Sequence, residues 1–264
     1  MSRERPEVIE AVEKAFALLE AFSPTQTSLT ISEASRLTGL TRPTARRLLL
    51  TMVYLGYAEA DGRSFRLTPR VLRLGYGYLS GLPFWEHAQA HLRELADAVN
   101  EACSAATLDN GDIVYVARIP PRRTMTITLS VGSRLPAYAT SMGRVLLAGL
   151  TDAHLDEYFR ETEFPALTTR TVTDPPKLRE ILAEVGRQGY AIVDGEREEG
   201  VRSAAAPVRD RHGRVIAAIN ISANAGRMPL DELRERWVPR LIEAAAAISV
   251  LPSHFQKIPP DRMW

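Results

Sequence analysis

The sequence predicts an α+β chain in two parts: an N-terminal winged helix-turn-helix, then an antiparallel sheet flanked by helices. Three observations predict it. TISEASRLTGLTRPTARRLLLTMVYL, from Thr30 to Leu55, reads as two short helices around a tight turn. YAEADGRSFRLT, from Tyr57 to Thr68, holds two β-rich runs around Asp61-Gly62, a hairpin signal. Beyond Pro83, helical periodicity gives way to runs that alternate every second residue. The boundaries read from these patterns are 7–68 for the winged helix, 69–82 for a linker helix and 83–252 for the second domain.

Glu7 to Phe22 is amphipathic, with Val8, Val12, Ala15, Phe16 and Leu19 expected to face a three-helix core. SPTQTS follows as a loop. Thr30 with Glu33 three residues on has the capping-box spacing. Ala34 and Leu37 form the inner face of the first short helix, Gly39 stops it, and Leu40 plugs the turn. Thr41 can cap the second helix, and Pro43 sits in the first turn, where a missing N–H costs little. Ala45, Leu48, Leu49, Met52 and Leu55 recur at helical spacing as its buried stripe. Arg42 and Arg46 lie one turn apart on the opposite side beside Arg47, a face suited to the major groove of DNA. The hairpin after it carries Arg63 and Arg66 at or near its tip, as a wing on a phosphate backbone would. From Thr30 to Ser80 eight arginines stand against three acidic residues, a local balance of +5 in a chain of formal net charge +1. That is an electrostatic footprint for DNA. Arg36, Thr41, Arg42, Thr44, Arg46, Arg47, Arg63 and Arg66 are the candidate DNA contacts. Arg3 and Arg5, in a charged N-terminal arm, could also reach a groove.

After Pro69 the stretch VLRLGYGYLSGL is a short apolar helix interrupted by glycines, read as the linker. In FWEHAQAHLRELADAVNEA, Trp85, Ala88, Leu92, Leu95, Ala96 and Val99 make one stripe. His87 and His91 are four apart, but no acidic or cysteine partner stands at a metal-site spacing, so neither metal nor cofactor is expected. IVYVARI and MTITLSVG are strands around the basic loop PPRRT, with Asp109–Asp112 as a turn. LPAYATSMGRVLLAGL runs from an extended piece into a helix that Ser141 can cap, leaving N–H groups for an anion. Helices near Asp152–Phe159 and Pro175–Gln188 precede GYAIVDGE. Val201–Arg209 and Arg214–Ala223 are strands around the turn Asp210–Gly213, and Leu230 to about Val250 is a closing helix. Asn220 and Ser222 continue the face of Ile216 and Ala218, as a pocket lining would. Arg118, Arg134 and Arg202 are the basic candidates for a carboxylate, and Tyr138 and Met142 offer apolar walls for a ring.

Composition excludes other classes. Hydrophobic residues make up 45% and charged residues 25% of the 264, ordinary globular values. The single cysteine, Cys103, leaves no internal disulfide framework and fits a reducing compartment. No run of about 18 apolar residues is present, and MSRERPEV has no apolar signal core, so the expected location is the cytoplasm.

These residues resemble the IclR family of bacterial transcription regulators over nearly the whole chain. The resemblance is carried by the winged helix at 8–68, VGSRLPAYATSMGRVLLA at 131–148, GYAIVDGEREEGVRSAAAPV at 189–208 and VIAAINISA at 215–223. RLPAYATSMGRVLLA is most similar to the branch that controls aromatic-acid catabolism through the β-ketoadipate pathway. The resemblance implies a GAF-like effector domain with a six-stranded antiparallel sheet, a homodimer or dimer of dimers, and a small organic acid as effector. It also implies effector contacts at Ser141–Met142, Ser203, Asn220 and Ser222. In the founding regulator the position matching Ser203 is cysteine and that matching Asn220 is serine, departures that argue for an acid other than glyoxylate or pyruvate. Two other readings of the chain stand beside this one. In the first, the second domain only oligomerises. In the second, an enzyme carries a DNA-binding appendage, but the chain has no G-x-S-x-G elbow, no phosphate-cradling loop and no zinc signature.

Overall fold

The computed structural model describes residues 7–23, 25–121 and 129–249, and the chain divides into two units, Met1–Leu79 and Ser80–Trp264. The N-terminal arm with Arg3 and Arg5, the first half of MTITLSVG (125–128) and the tail after residue 249 lie outside the described residues.

In the first unit, α1 (Glu10–Glu20), α2 (Ile31–Thr38) and α3 (Arg42–Tyr54) pack around Leu18, Leu29, Ala34, Ala45, Leu49 and Met52. Three short strands, β1 (Ser28–Thr30), β2 (Ala58–Asp61) and β3 (Ser64–Leu67), form a sheet in the order β1-β3-β2. β1 overlaps the end of the stretch read as a loop. At three residues it is too short to show alternation, and it exists by pairing Leu29 with Phe65. The wing turns at Gly62–Arg63, where Gly62 takes φ 61°, a conformation a two-residue hairpin needs and glycine adopts freely. A 3-10 turn, Pro69–Val71, and α4 (Leu72–Leu79) close the unit.

Several expected inward residues face solvent. α1 carries two apolar stripes, 8/12/16 and 15/18/19/22, and the small core accepts only the second. Leu18 is fully buried with Ala15, Leu19 and Phe22 beside it, while Val8, Val12 and Phe16 are about half exposed. Leu37 is exposed on α2, whose buried residue is Ala34. Leu55 is exposed because it lies one residue past the end of α3.

In the second unit the strands are β4 (Ala102–Asp109), β5 (Asp112–Ile119), β6 (Arg134–Pro136), β7 (Ala191–Asp194), β8 (Val201–Arg209) and β9 (Val215–Asn224). They form an antiparallel sheet in the order β6-β5-β4-β9-β8-β7. Leu129 and Ser130 are irregular and Val131 opens a turn, so the alternation read there does not continue as a strand to Val131. One face packs on α5 (Trp85–Val99) and α10 (Val238–Ser249). The closing helix is not uniform: α9 (Leu230–Glu232) leads through a π segment, Leu233–Trp237, into α10. The opposite face packs on α6 (Ser141–Ala148), behind which lie α7 (Asp152–Glu161) and α8 (Pro175–Gln188). Gly143 lets α6 sit directly on the turn Ala137–Ala139, since a Cβ there would collide with the Ala137 carbonyl. Among the described residues no helix is long and apolar enough to cross a membrane, and no group of three or more His, Cys, Asp or Glu could hold a metal.

Candidate functional site

The helix-turn-helix is locally well specified. The Glu33 amide donates to Thr30 Oγ1 (3.3 Å) and Thr30 N–H to Glu33 Oε2 (2.8 Å), a reciprocal cap. The Thr30 N–H and the Thr30 hydroxyl, both donating to Glu33 Oε2, hold the Glu33 carboxyl below its ordinary value. Gly39 ends α2 at φ 69°, and the Thr44 amide donates to Thr41 Oγ1 (3.4 Å) to open α3. Thr41 and Thr44 hydroxyls bond each other at 2.9 Å. Arg36, Arg42, Arg46, Arg47 and Arg63 are exposed, and none has an ion pair among the described residues. Arg66 differs: its Nη2 reaches Asp61 Oδ2 at 3.0 Å and its Nε lies 3.8 Å from Glu59, so its charge is balanced within the wing.

The second unit holds a cavity of about 40 Å³ between the sheet and the N-terminus of α6, space for a few waters. Strand register explains its floor. Directly paired residues of antiparallel strands share a face. One row reads Val193, Ser203, Ser222, Ala102, and the next Ala191, Ala205, Asn220, Ser104, Arg118. Small and hydroxylated side chains in these rows leave the space that larger residues would fill. A register shift between Ala105 and Ala106 makes Val116 the extra residue of a β-bulge on β5. The Val116 carbonyl accepts from Trp85 Nε1 at 2.9 Å. The bulge turns Tyr115 and Arg118, of opposite parity in sequence, onto the same face.

The cavity wall therefore includes Arg118, Ser141, Met142, Ser203, Asn220 and Ser222, six of the residues singled out from sequence. The structure does not bring Arg134, Tyr138 or Arg202 there. Arg134 is exposed and pairs with Asp109 and Asp112, the Asp109 bond raising its pKa. Tyr138 points away and donates to the Pro165 carbonyl at 2.6 Å, edge-on to Phe164. Arg202 forms two 3.0 Å bonds with the Asp194 carboxylate and donates to the Met228 carbonyl. Ser141 is not the cap of α6. Thr140 is, accepting from the Gly143 amide at 3.1 Å, and the Ser141 hydroxyl instead donates to Ser203 Oγ at 2.9 Å.

Tyr115, Thr140, Arg197 and Glu198 also line the cavity. Arg197 lies in the acid-rich run GEREEG, which reads as a solvated loop, and the side Tyr115 faces depends on the bulge, so no periodic signal marks either. Burial pushes the Tyr115 phenol up and keeps it neutral, while the Arg118 and Arg197 charges pull the other way. Arg118 Nη1 reaches Ser104 Oγ at 3.4 Å, and Arg197 Nη1 reaches Glu198 at 2.6 Å. Asn220 is 4% exposed, and its side-chain oxygen has no partner among the described residues. A buried polar atom with no partner is costly and points to an absent one. The amides of Ser141 and Met142, first in α6, have no intrahelical acceptor.

Comparison with known proteins agrees with this architecture. Residues 11–62 match the IclR helix-turn-helix domain and residues 76–250 the bacterial transcriptional regulator IclR C-terminal domain. The chain is 42% identical over 241 residues to the Pca regulon regulatory protein of Pseudomonas putida, covering 91% of this chain and 83% of that one. The structure of a transcriptional regulator from Rhodococcus sp. RHA1 matches at TM-score 0.83 and 46% identity, over 92% of this chain and 97% of that one. An IclR homolog from Microbacterium hydrocarbonoxydans, solved with 4-hydroxybenzoate, matches at TM-score 0.79 and 28% identity, over 90% and 97%. The chain therefore belongs to the IclR family of bacterial transcription regulators and is a DNA-binding regulator with an effector domain.

Proposed function

We propose that this regulator binds a palindromic operator as a homodimer or dimer of dimers in the cytoplasm. We further propose that a small organic acid in the second-unit cavity, aromatic or derived from ring cleavage, controls that binding. Asn220 carries the reading: it lines the cavity with Arg118, Arg197 and the first residues of α6, and its buried side-chain oxygen has no partner among the described residues. A buried carboxylate needs charge compensation and several donors. Arg118 and Arg197 supply the charge, and Ser141, Ser203, Ser222 and the α6 amides supply donors. Met142, Leu129 and Tyr115 give apolar walls for a ring. The complex of the Microbacterium protein with 4-hydroxybenzoate supports an acid of this class.

On the DNA side, five exposed arginines with no ion pair among the described residues support contact by the helix-turn-helix and the wing. Arg42 and Arg46, one turn apart, are assigned to base edges or close phosphates, and Arg36, Arg47 and Arg63 to the backbone. Thr41 and Thr44 position the helix start, and Arg66 acts through the shape of the wing. One recognition helix covers few base pairs, which favours two-fold sites with half-sites about a helical turn apart or a multiple of it.

Calorimetry with protocatechuate, 4-hydroxybenzoate, muconate and β-ketoadipate tests the acid site. At least one should bind wild type, and Ser222→Ala should weaken it. If none binds, the second unit is an oligomerisation domain; if Ser222→Ala binds unchanged, the acid lies elsewhere.

A further inference from the structure

Resting on the reading of the cavity as an acid site, we infer that Glu196 is a positioning residue for that acid and acts through a buried ion pair with Arg144. The two side chains are 10% and 3% exposed, and Arg144 Nη2 lies 2.6 Å from Glu196 Oε2. Neither lines the cavity, yet each is a near neighbour of residues that do. Arg144 stands one helical turn after Ser141. Glu196 immediately precedes Arg197 and Glu198.

The pair joins α6 to the loop between β7 and β8, close to the Ser141–Ser203 bond that joins α6 to β8. Arg144 Nε also donates to the Tyr138 carbonyl at 3.0 Å, fixing α6 to the turn before it. Glu196 Oε2 also accepts the Val172 amide at 3.1 Å. The Glu196 carbonyl accepts from Thr168 and Thr171 hydroxyls, and the Gly195 carbonyl from Thr168. The loop between β7 and β8 is bounded by Gly195 and Gly200, both at positive φ, 73° and 76°. Such a loop has conformational freedom unless anchored; backbone bonds tie its ends, Gly195 N–H to the Val201 carbonyl and Ala225 N–H to the Gly200 carbonyl, and the Glu196 side chain ties it to α6.

A buried ion pair is a poor source of net stability, because desolvation of the two charges offsets their attraction. It is a strong source of geometry, because neither charge tolerates loss of its partner. Here the geometry fixed is the placement of Arg197, which lines the same cavity as the first residues of α6, the two groups proposed to share the acid's carboxylate. A site held in its bound arrangement before the ligand arrives loses less on binding.

The test uses the full chain and whichever of the four acids named above binds wild type most tightly. Glu196→Gln keeps an acceptor for the Val172 amide and removes the charge; Arg144→Gln removes the other partner; the double variant leaves neither charge alone. At a temperature where thermal melting shows the protein folded, each single variant should weaken the acid at least fivefold. The double variant should cost no more than the larger single, the mark of two residues acting as one unit. A change under fivefold in folded Glu196→Gln overturns the inference, since a merely structural pair lowers the melting temperature and leaves affinity alone. If a single variant does not fold, the double variant decides by the same fivefold criterion. Hydrogen exchange on ligand-free protein gives an independent readout. Amides of residues 195–200 should exchange at least tenfold faster in Glu196→Gln than in wild type, with α8 unchanged; equal exchange overturns the positioning role. If wild type binds none of the acids, the acid site is wrong, and exchange still decides whether Glu196 holds the loop.

Discussion

The Ser141 hydroxyl donates to Ser203 Oγ across 2.9 Å, joining the first residue of α6 to β8 over 62 positions of sequence. Both side chains also face the cavity, so an acid there can take over the bond that each hydroxyl now makes to the other. Ser203→Ala should lower stability by about 1 kcal/mol, the net value of one hydrogen bond, seen as a melting shift of a few degrees. It should also weaken the tightest-binding acid. A destabilised protein with unchanged acid affinity would separate the two roles and remove Ser203 from the site.

On the DNA-binding unit, Arg46→Ala should lose roughly 1–3 kcal/mol of operator affinity if it reads a guanine by two bonds. Arg63→Ala should weaken all sequences alike and reduce the salt slope by about one unit. Arg66→Ala should change affinity least, because its guanidinium already pairs with Asp61. Fluorescence anisotropy across a salt series reads all three, and wild-type affinity in Arg46→Ala would mean that α3 presents another face.

The Arg202 hydrogen bonds, aided by Arg170, hold the Asp194 carboxyl below its ordinary value of 3.8. A carboxylate whose folded pKa is depressed stabilises the fold above its unfolded pKa. That contribution is lost as pH falls through about 4 towards the folded value. Asp194→Asn should therefore melt lower than wild type at pH 7, by about 1.5–3 kcal/mol, and the gap should narrow below pH 4. A gap of constant size across that range would mean that charge on Asp194 is not its source.

Trp85→Phe removes the donor to the Val116 carbonyl at the bulge. The expected loss is about 0.5–1.5 kcal/mol of stability, with weaker acid binding because the bulge aims Arg118 and Tyr115. Thermal melting and calorimetry on the same sample check it; unchanged acid affinity would show that the bulge keeps its shape without the indole.

Much of this architecture was legible because local signals agreed. Thr30 with Glu33, Gly39, Thr41 with Pro43, and Gly62 each satisfy a short-range requirement that can be read along the chain. Asn220 and Ser222 stood out as polar residues on an apolar face, and Arg118 as one of three basic candidates. What misled was non-local. α1 offers two apolar stripes and the core accepts one, which depends on the neighbours of Leu18 and not on α1. Arg134 and Arg202 look like Arg118 in sequence, but Asp109, Asp112 and Asp194 stand opposite them once the strands pair. The bulge at Val116 reverses strand parity, so alternation alone could not put Tyr115 beside Arg118. Arg197 reaches the cavity from a loop that resembles solvated surface, and the bonds of Glu196 to Arg144, Val172, Thr168 and Thr171 are long-range contacts that no spacing reveals.

Coupling between acid and operator is the most direct test of the account. DNA selected by the protein from a random pool is labelled, and its affinity is measured by anisotropy as the tightest-binding acid is raised to saturation. The expected result is a change in operator affinity of about fivefold or more, in the range of ordinary coupling energies, with the acid's own affinity changing by the same factor on the DNA complex. Operator affinity that stays constant at saturating acid would contradict the account.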